Sequence, residues 1–389
     1  MVPPQIMFAF DRYRLRNFNL PVLLVMVALS ILGFTVLQSA VAHDADGPAT
    51  IREQMLCFLL SFVFVLALTL IDYHLWMKLH GLIWLGMIGI LGLLFTPLGQ
   101  TFYGATRWLR IPGLGSFQPS EFAKVCLILF FAWFFGHFRE KINKPFVVFL
   151  ALLLFAVPAV MIFLEPDLST TATFAAIFLV LIFVGGISWK WIGGMVLAVL
   201  PAVGFLYWDS TRENPMILKQ YMLNRILGYL NPDNPEYSSL NNQQAKAVMA
   251  IASGKLHGKG LFNADFESVK NGNFLSQENC DFIFAVVGEE LGFIGTCAVI
   301  FLFALLVFLC FRAASKAADL EGRIICAGVG TLLGLQVFIN IGVCSGLLPN
   351  TGVVLPFFSA GLSSLVCSYT ALGLVLNVGL QRDEEPPRR

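Results

Sequence analysis

The chain has 389 residues, of which 57% are hydrophobic and only 13% charged. A soluble domain carries about a quarter charged residues, and 25 basic plus 24 acidic side chains cannot coat a water-soluble body of this length. With 37 Phe, 7 Trp and a net charge of +1, the composition excludes a secreted disulfide scaffold, a nucleic-acid binder and a disordered chain, and leaves an integral membrane protein.

The chain opens with Arg12, Arg14 and Arg16 before an apolar run ending at Ala40-Val41-Ala42, the outline of a cleavable secretory signal. The run is long and further spans follow it, so an uncleaved first helix is expected. A bilayer core of about 30 Å takes about 20 apolar helical residues. Ten segments fit: 20–39, 54–71, 81–98, 120–137, 146–164, 168–187, 189–208, 283–311, 323–347 and 356–380. The eighth is overlong, and its first turns are expected to tilt or to lie above the membrane. Lipid cannot satisfy an open backbone. The expected fold class is therefore all-α and polytopic, one membrane domain over 1–389 with about ten transmembrane helices and a large extracytoplasmic loop between helices 7 and 8.

Orientation follows from the basic residues. With the N-terminus inside, fourteen Lys and Arg fall in inner loops and tails, against Arg52, Arg107 and Arg110 in the short outer loops. That asymmetry predicts both termini in the cytoplasm. The 73-residue segment 209–281 then faces outward. A loop of that length is uncommon unless it is functional. It is expected to hold helices near Gln220–Leu230 and Gln243–Ser253, an Asn/Pro-rich turn at 231–235, and glycines at 254, 258 and 260. Of eight cysteines, only Cys280 lies in a polar stretch; without a C-x-x-C pair or metal-ligand spacing, they read as small buried hydrophobes. No nucleotide-binding motif is present.

Ionisable residues at apolar depth are the informative ones, and three outer clusters hold them. In Gln118-Pro-Ser-Glu-Phe-Ala-Lys124, Ser120 can cap the fourth span, with Glu121 in its first turn and Lys124 three residues on, on the same face. Arg107 and Arg110 lie just upstream, cations on the face that should be poor in them. Glu165-Pro-Asp167 is a tight turn whose Asp is an ordinary cap, but Glu165 has no such explanation. Asp281 lies eight residues, about 12 Å of helix, before Glu289 in the string Gly288-Glu-Glu-Leu-Gly292. The histidines are scattered, those on the inner side reading as interface residues. An outward mouth lined by carboxylates and a few cations suits a transporter, a channel or a membrane enzyme equally.

Taken in order, these strings resemble the SEDS family, the group of RodA, FtsW and SpoVE. The resemblance runs through Gly104-Ala-Thr-Arg-Trp108, Phe117-Gln-Pro-Ser-Glu-Phe-Ala-Lys124, Glu165-Pro-Asp-Leu168, Arg225 with Asn231-Pro232, and Gly254 to Gly260. It continues through Asp281 to Gly292, Asn340-Ile-Gly342, Gly346 to Pro349 and Gly352 to Phe357. Three stretches depart from the family pattern: Ser276 to Cys280, Gln243-Gln-Ala245, and Ser359-Ala-Gly-Leu-Ser-Ser364. The short tails lean toward a RodA-like member.

The resemblance implies a peptidoglycan glycosyltransferase that polymerises lipid II on the outer leaflet. The family's essential loop Asp maps onto Asp281, which would act as general base on the acceptor hydroxyl, with a divalent cation (Mg or Mn) as a possible companion at Asp281. Arg107, Arg110 and Lys124 are candidates for the pyrophosphate, with Lys255 and Lys259 as weaker ones. Glu121 and Lys124 would form a polar floor that Glu165 completes, while Glu289 and Glu290 would brace the eighth helix. A class B penicillin-binding protein, on a separate chain, is the implied partner; no nucleic acid is. The rival readings are a lipid II flippase, which needs polar groups at mid-membrane and on both faces, and a scaffold without chemistry.

Overall fold

In the computed structural model, residues 15–42, 46–102, 105–111, 115–210, 212, 220–230, 238–263 and 280–381 are described. The turn expected at 231–235, the divergent stretch 276–279 and both chain ends, on which the orientation bears, lie outside them. The helices are α1 (Leu20–Ala40), α2 (Gly47–Leu70), α3 (Tyr73–Lys78), α4 (His80–Gly92), α5 (Pro119–His137), α6 (Pro145–Leu164) and α7 (Leu168–Val184). They continue with α8 (Trp189–Ser210), α9 (Gln220–Leu230), α10 (Ser238–Ser253), α11 (Ile283–Ser315), α12 (Leu320–Cys344) and α13 (Leu362–Leu380).

Among the described residues, seven of these are long and apolar enough to cross a membrane, and His80–Phe95 and Leu168–Val184 are shorter apolar helices. Each of the ten segments expected from hydropathy is largely helical. The last is shortened: residues 356–361 do not join α13, because Ser359 and its neighbours are drawn into loop hydrogen bonds.

Local chemistry sets the helix ends. Proline opens α1, α2, α5 and α6 within the first two positions, where its missing N–H costs nothing. Side chains of Asp72, Asp167 and Asp319 accept from His74, Thr170 and Gly322 backbone N–H groups and cap α3, α7 and α12. The expected cap at Ser120 is not made: α5 begins at Pro119 after Gln118, and the Ser120 hydroxyl is buried without a hydrogen-bond partner among the described residues.

Helices α5, α12 and α13 form the interior, with α11 packed on α1 and α12, and α13 on α2. Large apolar side chains on the outer faces, such as Leu59, Leu60 and Val63 of α2 and Phe146 and Phe149 of α6, are exposed. Helices apolar all round, with Leu and Phe turned outward, fit lipid as their solvent.

Two features were not foreseen from hydropathy. Between α4 and α5 lies a small antiparallel sheet, β1 (Gly99–Phe102), β2 (Ala105–Ile111) and β3 (Gly115–Phe117), in that order. And α11 is broken at Gly292, whose φ of 64° and ψ of −167° leave the helical region. The break accounts for the overlong eighth segment. Its freed backbone groups are taken up by the loop after α10. Lys259 and Gly260 N–H donate to the Glu289 and Glu290 carbonyls, and Phe293 and Ile294 N–H donate to Lys255 and Leu256 carbonyls. A Cβ at Gly254, Gly258 or Gly292 would run into the facing backbone, which is why only glycine serves at this seam.

Candidate active site

Asp281, just before α11, is surrounded by α12, the loop between α12 and α13, and α9. Its backbone carbonyl accepts from Asn340 Nδ2 of α12 at 2.8 Å, and the same nitrogen donates to the Val353 carbonyl at 2.7 Å. One residue earlier, the Cys280 carbonyl accepts from Ser359 Oγ at 2.6 Å. A methyl group on Gly352 (φ 71°) would sit 3.3 Å from Asp281 Oδ2 and 3.6 Å from Arg225 Nη1. Carboxylate and guanidinium thus converge on a bare backbone. Arg225 comes from α9, inside the long loop.

Charge around Asp281 decides its chemistry. Burial pushes its carboxyl up to about 6, against the pull of Arg225 and then Arg107, with Asp167 adding to the push. Arg107 reaches this place through the sheet. Gln100 pairs with Trp108 and Thr101 with Thr106, so Arg107 is the extra residue of a bulge, a device that re-aims a side chain. Its Nη2 donates to the Pro166 carbonyl, and its Nε lies 3.6 Å from Asp167 Oδ2. Ser169 Oγ lies 3.0 Å from both Asp167 Oδ1 and the Thr351 carbonyl, which share its one proton.

Beside Arg107, Glu165 is only 3% exposed, and neither carboxyl oxygen has a hydrogen-bond partner among the described residues. Burial, then the charge of Asp167, pushes it up to about 8, with Arg107 opposing. It lines a cavity of about 360 Å³ together with Thr96, Thr101, Thr106 and Pro166.

Glu121 and Lys124 lie deeper, on α5. Lys124 Nζ donates to Glu121 Oε1 at 2.6 Å, and Gln336 Nε2 of α12 donates to Glu121 Oε2 at 3.0 Å. Gln336 and Asn340 are four residues apart on α12, about 6 Å along the helix. The paired floor and the Asp281 carbonyl are therefore tied to one face of one helix. Polar side chains at i and i+4 inside an apolar span were the signal for both residues; Arg225 stood in the sequence only as part of a longer motif.

Three candidates sit elsewhere. Arg110 is exposed on β2, and the charges acting on Asp281 are Arg225, Arg107 and Asp167. Lys259 Nζ donates to buried Glu289 at 2.7 Å, while Ser39 Oγ of α1 donates to Glu290 at 2.6 Å; both belong to the seam around the Gly292 break. Lys255 is exposed and meets the same seam through its carbonyl.

A polytopic helical membrane protein with an acid and two guanidiniums converging at one end of its bundle, over a deeper buried ion pair, defines a class: membrane proteins with a charged polar site, whether enzymes, carriers or channels. Comparison with known proteins narrows it. The family model described as "Cell cycle protein" (FtsW/RodA/SpoVE) matches residues 19–384. A probable peptidoglycan glycosyltransferase FtsW of Geobacter sp. (strain M18) is 34% identical over 94% of this chain and 97% of its own. The FtsW of Geobacter metallireducens is 34% identical over 97% and 99%. A solved chain from a study of polymerization and crosslinking by a peptidoglycan synthase complex superposes with a TM-score of 0.77 at 26% identity, covering 93% of this chain and 97% of that one. A mutant of the Thermus thermophilus rod shape determining protein RodA gives a TM-score of 0.68 at 25% identity, with coverages of 95% and 99%. The chain belongs to the FtsW/RodA/SpoVE family.

Proposed function

We propose that this chain joins lipid II disaccharides into glycan strands, with Asp281 as the general base. It is a peptidoglycan glycosyltransferase of cell-wall synthesis. The observation that carries the mechanism is Asp281 itself: a carboxyl raised to about 6 is ionised at neutral pH yet basic enough to accept a proton from an attacking sugar hydroxyl. That attack breaks the bond from the anomeric carbon to the lipid pyrophosphate. Arg107 and Arg225 supply fixed positive charge for the departing phosphates. Glu121 and Lys124, locked to each other and to Gln336, form a rigid floor rather than a free cation for the phosphates.

A resident divalent ion finds no preformed cage: among the described residues no three His, Cys, Asp or Glu side chains cluster as ligands. Magnesium or manganese enters this reading only with the substrate's pyrophosphate. The reading also sets the Asp281 end of the bundle on the outer face, with both termini in the cytoplasm and a class B penicillin-binding protein as a separate partner chain. Concentration of the acid and both guanidiniums at one end favours the enzyme over a flippase.

The test is polymerisation of purified lipid II by the chain with its partner. Asp281→Asn is expected to abolish polymer while expression and membrane insertion stay normal, and Arg107→Ala to raise the KM for lipid II. Full polymer yield from Asp281→Asn refutes the base assignment.

A further inference from the structure

At the end of the bundle away from Asp281, a second charged concavity has no place in the chemistry above. Helix α1 runs antiparallel to α11: Ser39, near the end of α1, bonds Glu290 near the start of α11. The start of α1 therefore meets the far end of α11, where Asn19 and Pro21 face Arg312 and Ala313. There a cavity of about 180 Å³ is lined by Arg16, Asn19, Pro21, Arg312 and Lys316, with Phe18 as its apolar wall. Arg312 lies in the last turn of α11, and Lys316 is the residue that caps its C-terminus. Arg16 arrives from the opposite end of the sequence. None of the three is paired with a carboxylate among the described residues, and all three are exposed.

A belt of cations at helix ends satisfies topology without any convergence, since only the count near the span ends matters there. Here three cations from two remote segments close on one concavity, beside the N-terminus of α1, whose dipole adds positive potential. The site is too small for a folded partner and sits where helices leave the apolar layer. We propose that Arg16, Arg312 and Lys316 form a binding site for a phosphate group, that of an anionic phospholipid headgroup in the leaflet opposite the Asp281 site. The acyl chains would lie along the exposed apolar flank of α11, where Phe301, Phe308 and Phe311 are exposed. This role is independent of the polymerising site.

The experiment uses the purified full chain, titrated with phosphatidylglycerol or phosphatidylcholine in mixed micelles, followed by thermal unfolding and native mass spectrometry. Sodium phosphate against sodium chloride at equal ionic strength forms a separate arm. Phosphatidylglycerol is expected to stabilise the protein and remain bound. A cation near a membrane surface is worth about fivefold in affinity, so Arg312→Gln/Lys316→Gln should weaken phosphatidylglycerol about thirtyfold, Arg16→Gln about fivefold, and Lys190→Gln, outside the cavity, not at all. Stabilisation by inorganic phosphate that vanishes in the double variant would support the phosphate site with a soluble ligand as its occupant. Unchanged phosphatidylglycerol affinity in both Arg16→Gln and the double variant, or equal weakening by Lys190→Gln, overturns the proposal.

Discussion

Asn340 is the sharpest test of how Asp281 is held, because it touches no reacting atom. Its amide nitrogen donates to two carbonyls, those of Asp281 and Val353, at 2.8 and 2.7 Å. Asn340→Leu keeps the branched outline of the side chain and removes both bonds. A neutral hydrogen bond contributes about 1 kcal/mol net, but a buried acceptor left unpaired costs about 1–3 kcal/mol. The Asp281 carbonyl keeps a weak thiol contact from Cys344 Sγ at 3.7 Å, whereas no other donor to the Val353 carbonyl is seen among the described residues. The expected destabilisation is therefore about 2–3 kcal/mol, from one acceptor fully orphaned and one partly so. Unfolding in mild detergent with added denaturant would read it.

The catalytic consequence is larger than the stability cost suggests. A displacement of about 1 Å in a reacting group costs about a hundredfold in rate, so kcat for lipid II polymerisation should fall ten- to a hundredfold. KM should move less than threefold, since Arg107 and Arg225 are untouched. Ser359→Ala, which frees the adjacent Cys280 carbonyl, should show the same split at a few-fold. A wild-type kcat in Asn340→Leu, or a raised KM at constant kcat, would show that the Asp281 position does not depend on this bond.

Protonation of Asp281 should set an acidic limb on the rate, which falls tenfold per pH unit below about 6; a pH profile flat down to 5 would contradict it. Because burial raises this carboxyl above its unfolded value, folding takes up a proton between about pH 4 and 6, and the ionised form at neutral pH weakens the fold. Asp281→Asn should accordingly melt at or above the wild-type temperature while losing all polymerisation. At the opposite end of the bundle, His74 lies 2.7 Å from Asp72 and 2.9 Å from Asp319, and hydrogen bonds to those carboxylates raise it to about 9 against the opposing effect of burial. Its stabilisation is complete below about 6.5 and is lost as pH rises through 9. The Tm gap between wild type and His74→Gln should therefore close on going from pH 6 to pH 10, and a constant gap would rule out the ion pairs as its source. Lys124→Met strands a buried Glu121 and should cost about 3–5 kcal/mol, with Glu121→Gln/Lys124→Met less damaging than the single change. An additive double variant in denaturant unfolding would count against the pair.

The sequence exposes the parts of this architecture that depend on solvent and on near neighbours in the chain. Apolar runs locate the helices because lipid leaves the backbone no alternative, and the Glu121–Lys124 pair follows from helical spacing alone. The small sheet is invisible to that reading, since strands of four, seven and three residues are too short to impose a period. The bulge that turns Arg107 toward Asp167 is hidden for the same reason. Placement of Arg225, and separation of Arg110 and Lys259 from the acid, are tertiary outcomes; like Arg107, these are basic residues outside the apolar runs, and composition ranks them alike. The His74 cluster was missed because its partners are at positions 72 and 319, and only packing brings the second to the first.

The break at Gly292 connects these levels. A continuous α11 would satisfy its own backbone and leave the 254–260 loop with nothing to bond. Broken, it presents the carbonyls of Glu289 and Glu290 to Lys259 and Gly260 and receives the carbonyls of Lys255 and Leu256 in return. The short segment from Ile283 to Leu291 is thereby held between the 254–260 loop on one side and α1 on the other, through Ser39 and Glu290. Asp281, two residues before that segment, inherits its rigidity, and Asn340 and Ser359 remove what freedom remains. Asp281 is thus fixed at the junction of an irregular loop and the helical bundle, the position that the proposed general base requires.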